Sequence, residues 1–134
     1  RSSRTKGLAA TNTLKCAQVT MTSRRLERTF ASSVLRGCPF VNAVAELEEP
    51  NHAANRIALA FKEQRCAWFR DLLVRLDVGD AETLAMQLQI LVDGAIAALL
   101  VRGDPKIAVA ARAAACVLLE AAGVKVAVQR NAKR

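Results

Sequence analysis

Apolar residues recur at helical spacing over most of this chain. The clearest run lies between His52 and Leu76, where Ile57, Phe61, Trp68, Leu72 and Leu76 mark a stripe with Phe69 and Leu73 beside it. Lys62, Glu63, Arg70 and Asp71 fall mainly on the opposite face, and Asn51 stands where an N-cap belongs. Asp77-Val78-Gly79-Asp80 then reads as a turn, and Asp80 as the cap of a second long helix reaching about Val101. Glu82 occupies the first turn of that helix, where the dipole favours a negative charge. Gly103 ends the helix, and Asp104-Pro105 restarts the chain as a cap followed by proline at the first helical position. The last helix spans about Pro105 to Ala122 and stops at Gly123.

Two shorter helices precede these. Ser23 to Ser33 places Leu26 and Phe30 on one face, and Pro39 opens a helix that carries Phe40, Val41, Val44 and Leu47. The sum is an all-α bundle of about five helices. Its organisation is a basic irregular segment over 1–22, a folded unit over 23–123 and a basic tail over 124–134.

The last two helices are apolar over more of their circumference than one neighbour covers, and a two-residue turn joins them into an antiparallel hairpin. Either other helices of the same chain cover the surplus, or a second copy does, which would make a two-fold four-helix dimer interface. The candidate interface residues are Asp93, Ala97, Leu100, Ala111, Ala115 and Leu118. Asp93 is the odd charge in a small-residue helix. It needs a cation, a backbone donor or a partner-subunit group.

Composition supports helices over strands: 52% of the 134 residues are hydrophobic, and there is no tyrosine. The net charge of +8 suggests nucleic acid until the charges are located. Residues 1–36 hold eight Lys/Arg against Glu27 alone, and the last eleven residues add four more cations. The stretch 37–123 has eight basic and eleven acidic residues, so the body is mildly acidic and the basicity sits in the ends. Cys16, Cys38, Cys66 and Cys116 form no CxxC pair, and His52 is the single histidine, so no metal site is expected. Buried reduced thiols suit a cytoplasmic protein. No apolar run reaches 18 residues; Ile90 to Val101 is broken by Asp93, and no secretory h-region precedes it, so no membrane partner is expected. Neither a Ser/His/Asp set nor a Gly-rich phosphate loop is present, and Glu46, Glu48 and Glu49 cluster at a helix end as a solvated surface. The expectation is a non-enzyme with no cofactor.

The segment Arg36-Gly37-Cys38-Pro39-Phe40-Val41-Asn42-Ala43-Val44-Ala45-Glu46-Leu47 resembles the "RGCPFVNAAAE" stretch of many tetracycline-repressor (TetR) family regulators. The likeness continues through Ala60-Phe61-Lys62-Glu63, Trp68-Phe69, Gln87-Leu88, Leu91-Val92-Asp93-Gly94-Ala95 and Gly103-Asp104-Pro105, from about Leu26 to Gly123. The resemblance implies a helical regulatory domain that dimerises through its last two helices and takes a small effector among its central ones. Effector binding would release the operator. The chain departs from the family at its start, where the first 36 residues hold no helix-turn-helix pattern; operator DNA is a partner only through a head outside this chain.

For a small apolar or amphipathic effector, the candidate wall residues are Phe40, Phe61, Cys66, Trp68, Phe69, Gln87 and Leu91. A core stripe and a cavity wall look alike in sequence. Asn42 and Glu46, at i and i+4, would bond a neighbouring helix or fix a ligand. Two alternatives stand beside a regulator: a head-less dimeric ligand-binding protein that does not read DNA, and a module using its basic ends on nucleic acid without sequence preference.

Overall fold

In a computed structural model, residues 36–47, 49 and 51–126 are described. They form four helices: α1 (Pro39–Glu46), α2 (Ala53–Arg75), α3 (Ala81–Arg102) and α4 (Lys106–Ala121), with no strand among the described residues. The helix expected over Ser23 to Ser33 lies outside them, as do residues 1–35 and 127–134.

Local chemistry sets the helix ends. Asp80 caps α3 by accepting from the Thr83 backbone N–H at 3.1 Å, and Arg102 lies in its last turn. At the start of α2 the cap is His52 and not Asn51: its Nδ1 accepts from the Ala54 N–H at 3.1 Å. Asn51 sits one residue too early for that bond and offers its carbonyl to Arg56 instead. The Asp104 carboxylate accepts from the Lys106 N–H at 2.9 Å, so the aspartate caps α4 although its first helical residue is Lys106, after Pro105.

Two helices end in the same six-residue closure. After α4, Gly123 turns left-handed (φ 82°) and the Val124 N–H bonds back to the Leu119 carbonyl at 2.9 Å. After α2, Asp77 takes that turn (φ 62°) and Val78 N–H reaches the Leu73 carbonyl at 3.1 Å. In both, the following valine is buried. The packed body therefore continues past Gly123, since Val124 joins the core and Val126 packs against it.

α2 and α3 pack side by side, α4 lies against α3, and α1 lies against α2. The core gathers Phe69, Leu73, Leu76, Leu84, Ala85, Leu88 and Leu119, of which Ala85, Leu73 and Leu119 are 0%, 1% and 2% exposed. A smaller cluster of Leu99 and Ala108, with Ile96 and Ile107, closes the far end of the hairpin.

The inward face of α2 differs from the predicted stripe. Ala58, Cys66, Phe69, Leu72 and Leu73 are buried, whereas Ile57 and Trp68 are exposed. The face is turned by about one residue, which makes Phe69 and Leu73 its centre and brings Lys62 inward. α3 also departs from the reading that no segment could reach across a bilayer. It has 22 residues, and an 18-residue window has mean hydropathy 1.9, enough to cross by length and composition alone. Averaging over a whole helix tolerates Gln87, Gln89 and Asp93, which an uninterrupted apolar run does not.

Candidate functional site

The polar centre of the molecule lies between α2 and α3, on the side of α3 that faces α2. Asp93 projects from α3 and is met by two cations of α2, Lys62 Nζ at 2.6 Å and the Arg65 guanidinium. Positions 62 and 65 are three apart and so share a helix face. Gln89, one turn before Asp93, is the only buried polar residue among those described. Its Oε1 accepts from Arg65 Nε at 2.8 Å, and its Nε2 donates to Asp93 Oδ2 at 3.0 Å. Every polar end of Gln89 is thereby used, which is what its burial requires.

Burial by itself would raise the Asp93 carboxyl, but Lys62, Arg65 and Gln89 outweigh it and hold the group below the ordinary carboxylate range. The three charged side chains remain 20–31% exposed, so this is a pin at the rim of the helix interface.

An aromatic pair adjoins the pin. Phe40 of α1 stacks on Phe61 of α2 with ring centroids 4.2 Å apart and planes at 21°. The Arg65 guanidinium carbon stands 5.5 Å from the Phe61 centroid, within cation–π reach. Phe40 is the anchor of α1, a helix with no fully buried residue; its Val41 and Val44, and Leu47 just after it, all face solvent. The lead-in to α1 is fixed by Asn42, whose Nδ2 donates to the Arg36 carbonyl at 2.8 Å. Gly37, left-handed at φ 82°, lies so close to Leu100 that a Cβ there would stand 3.0 Å from its Cδ2.

Comparison with protein-family models, curated proteins and solved structures returns no match.

The structure separates the seven residues proposed from sequence as effector walls. Phe40 and Phe61 come together at half-buried positions, and Leu91 is half-buried on α3. Cys66 and Phe69 belong to the packed core. Trp68 packs on Phe69 but is 43% exposed, and Gln87 faces solvent. The amide that turns inward is Gln89, two residues on, because α3 presents Ala85, Leu88, Gln89 and Val92 to the core. Sequence reasoning missed the inward placement of Lys62, Arg65 and Gln89. The available signal was Asp93, a lone acid in an apolar helix that had to find a cation.

The six residues proposed for a dimer face also divide. Asp93 is paired within its own chain, Ala115 and Leu118 pack on its core, and Ala111 is half-buried. Ala97 and Leu100 are exposed. The outward positions of α4 are Val109, Ala113 and Val117, on the side of the helix opposite Ala111, Ala115 and Leu118. Glu46 is solvent-exposed, so Asn42 alone of that pair bonds a neighbouring segment.

Cys38, Cys66 and Cys116 are free thiols. Burial pushes the Cys66 thiol up, Glu82 and Glu63 push it further, and Arg70 opposes them, a setting that disfavours the thiolate. Among the described residues no three His, Cys, Asp or Glu converge on a point that could hold a metal ion.

Proposed function

We propose that this chain is the effector-binding and dimerisation domain of a transcriptional repressor of the tetracycline-repressor type. One observation carries the reading beyond the sequence resemblance: the outer face of the terminal hairpin is apolar and uncovered. On α3, Met86, Ile90, Gly94, Ala97 and Val101 recur at helical spacing on the side away from α2 and the core, and all are exposed. On α4, Val109, Ala113 and Val117 do the same, with Ala110 and Ala114 beside them and no charge between Lys106 and Glu120 on that face. Ile90, Val101, Val109 and Val117 are 61–84% exposed; α2 exposes Ile57, Leu59 and Val74 to a similar degree but sets Glu63, Arg70 and Asp71 among them. A second copy would cover this face by two-fold self-pairing of the hairpin, as the resemblance leads one to expect. The effector would enter beside the Phe40–Phe61 stack, where α1 is thinly attached. Operator reading is assigned to a head outside this chain, and a cytoplasmic location follows for a regulator of this kind.

Sedimentation equilibrium of the full chain, alone and as an Ile90→Glu/Val117→Glu variant, tests the proposal. The parent should be a dimer and the variant a monomer of unchanged helical content. A monomeric parent would remove the reading. Cutting away α3 and α4 would also unfold the rest, because Leu84, Ala85, Leu88 and Leu119 share the larger core cluster with Phe69 and Leu73 of α2.

A further inference from the structure

The pin between α2 and α3 leaves one positive charge over. Asp93 is a single carboxylate, whereas Lys62 and Arg65 both press on it. Lys62 Nζ is out of contact with solvent and meets Asp93 Oδ1 at 2.6 Å, an oxygen it shares with Arg65. An ammonium so placed is under-served, since it carries three N–H donors and desolvation is costly without acceptors. Arg65 turns one edge to Gln89 and Asp93, while its carbon stands against the Phe61 ring. The surplus charge thus sits directly beside a flat aromatic surface, the Phe40–Phe61 stack, at the joint of α1, α2 and α3.

We infer that this corner binds a small aromatic carboxylic acid, its carboxylate on Lys62 and Arg65 and its ring against Phe40 and Phe61. The charge count selects a monoanion. One added negative charge balances the two cations and Asp93, whereas a dianion would leave repulsion against Asp93 uncompensated. Carboxylate geometry suits the guanidinium and supplies Lys62 with an acceptor besides the Asp93 oxygen it shares with Arg65. A planar body suits a stacked ring pair, which offers a flat face for offset stacking. Phe40 can yield to admit the ring, because α1 buries none of its eight residues fully. Asp93 is then an internal competitor for the cations that the ligand seeks. This inference rests on the effector-binding reading above and specifies the class of effector.

The test is calorimetric titration of the full chain with naphthoate and with its uncharged amide, naphthamide. Naphthoate should bind more tightly on the order of tenfold. Lys62→Met should abolish that preference while leaving amide affinity in place. Asp93→Asn removes the competitor and should tighten naphthoate binding several-fold, with circular dichroism confirming the helical fold. If Lys62→Met fails to fold, the Asp93→Asn titration decides. Equal affinity for acid and amide, no naphthoate binding, or an Asp93→Asn variant that binds the acid no better overturns the inference. A dimer that ignores naphthoate overturns this inference alone, and a monomer that binds it overturns the regulator reading alone.

Discussion

α2 and α3 are nearly equal in length, 23 and 22 residues, yet they handle their surfaces in opposite ways. α2 buries one stripe and interleaves the exposed apolar residues of its outer side, Ile57, Leu59, Trp68 and Val74, with the charges of Glu63, Arg70 and Asp71. α3 buries Leu84, Ala85, Leu88 and Leu99 on one side and repeats an apolar pattern, Met86, Ile90, Ala97 and Val101, on the opposite side. Gln89 and Asp93 sit on the flank that meets α2, while Glu82, Thr83, Gln87 and Arg102 are exposed. A helix that is apolar all round belongs in an interior. In this chain α3 has packed neighbours on one side only, and its outer side, without an exposed charge between Glu82 and Arg102, is the one the proposed dimer would cover.

The sharpest way to break that contrast is a charge on the outer side of α3. Ile90→Glu should weaken self-association by about 3–4 kcal/mol, two to three orders of magnitude in dissociation constant, as a carboxylate is desolvated without a cation. Monomer stability in urea should scarcely change, and a dimer constant that does not move would remove the outer face from the interface. Leu73→Ala strikes the inner side instead: at 1% exposure it should cost about 3 kcal/mol of unfolding free energy, read as a lower urea midpoint.

Asp93→Ala tests the flank between the two sides. Two cations are left uncompensated at a half-exposed rim, and the expected loss is about 1–2 kcal/mol in the same assay. The pH dependence carries the same sign. The folded pKa of Asp93 is depressed, so its contribution is full above the unfolded carboxyl value of about 4 and disappears as pH falls through the lower folded value. The parent should therefore lose stability at acid pH more steeply than Asp93→Ala; equal slopes would mean the pin is idle.

Smallest is Asp77→Gly. Asp77 closes α2 in a left-handed conformation that costs a non-glycine residue free energy, while Gly123 makes the same closure after α4 without that cost. The substitution should stabilise by about 0.5–1 kcal/mol, measured as a higher thermal midpoint. A lower midpoint would show that the aspartate side chain contributes more there than its backbone costs.

Much of the fold was readable from local rules. Asp80, Gly103 and Asp104 each act at the helix ends where their chemistry placed them, because capping depends on residues within one turn. The exceptions were local competitions decided by a single position, as with His52 displacing Asn51. The site was less legible. Phe40 and Phe61 were chosen for their rings, and the structure stacks them. Helical spacing puts Lys62 on the face opposite the apolar stripe, and only the approach of Asp93 from another helix shows it turned inward.

By itself the sequence determined that the chain is helical, where α2, α3 and α4 begin and end, and that α3 and α4 are too apolar to stand alone. Those properties follow from periodicity and capping, which act within a few residues. The tertiary structure decided which side of each helix faces the core, which acid meets which base, and that Ala115 and Leu118 look inward while Val109 and Val117 look out. A rotation of one residue about a helix axis moves a side chain by about 100° at almost no local cost. Only packing against the other helices distinguishes one rotation from the next.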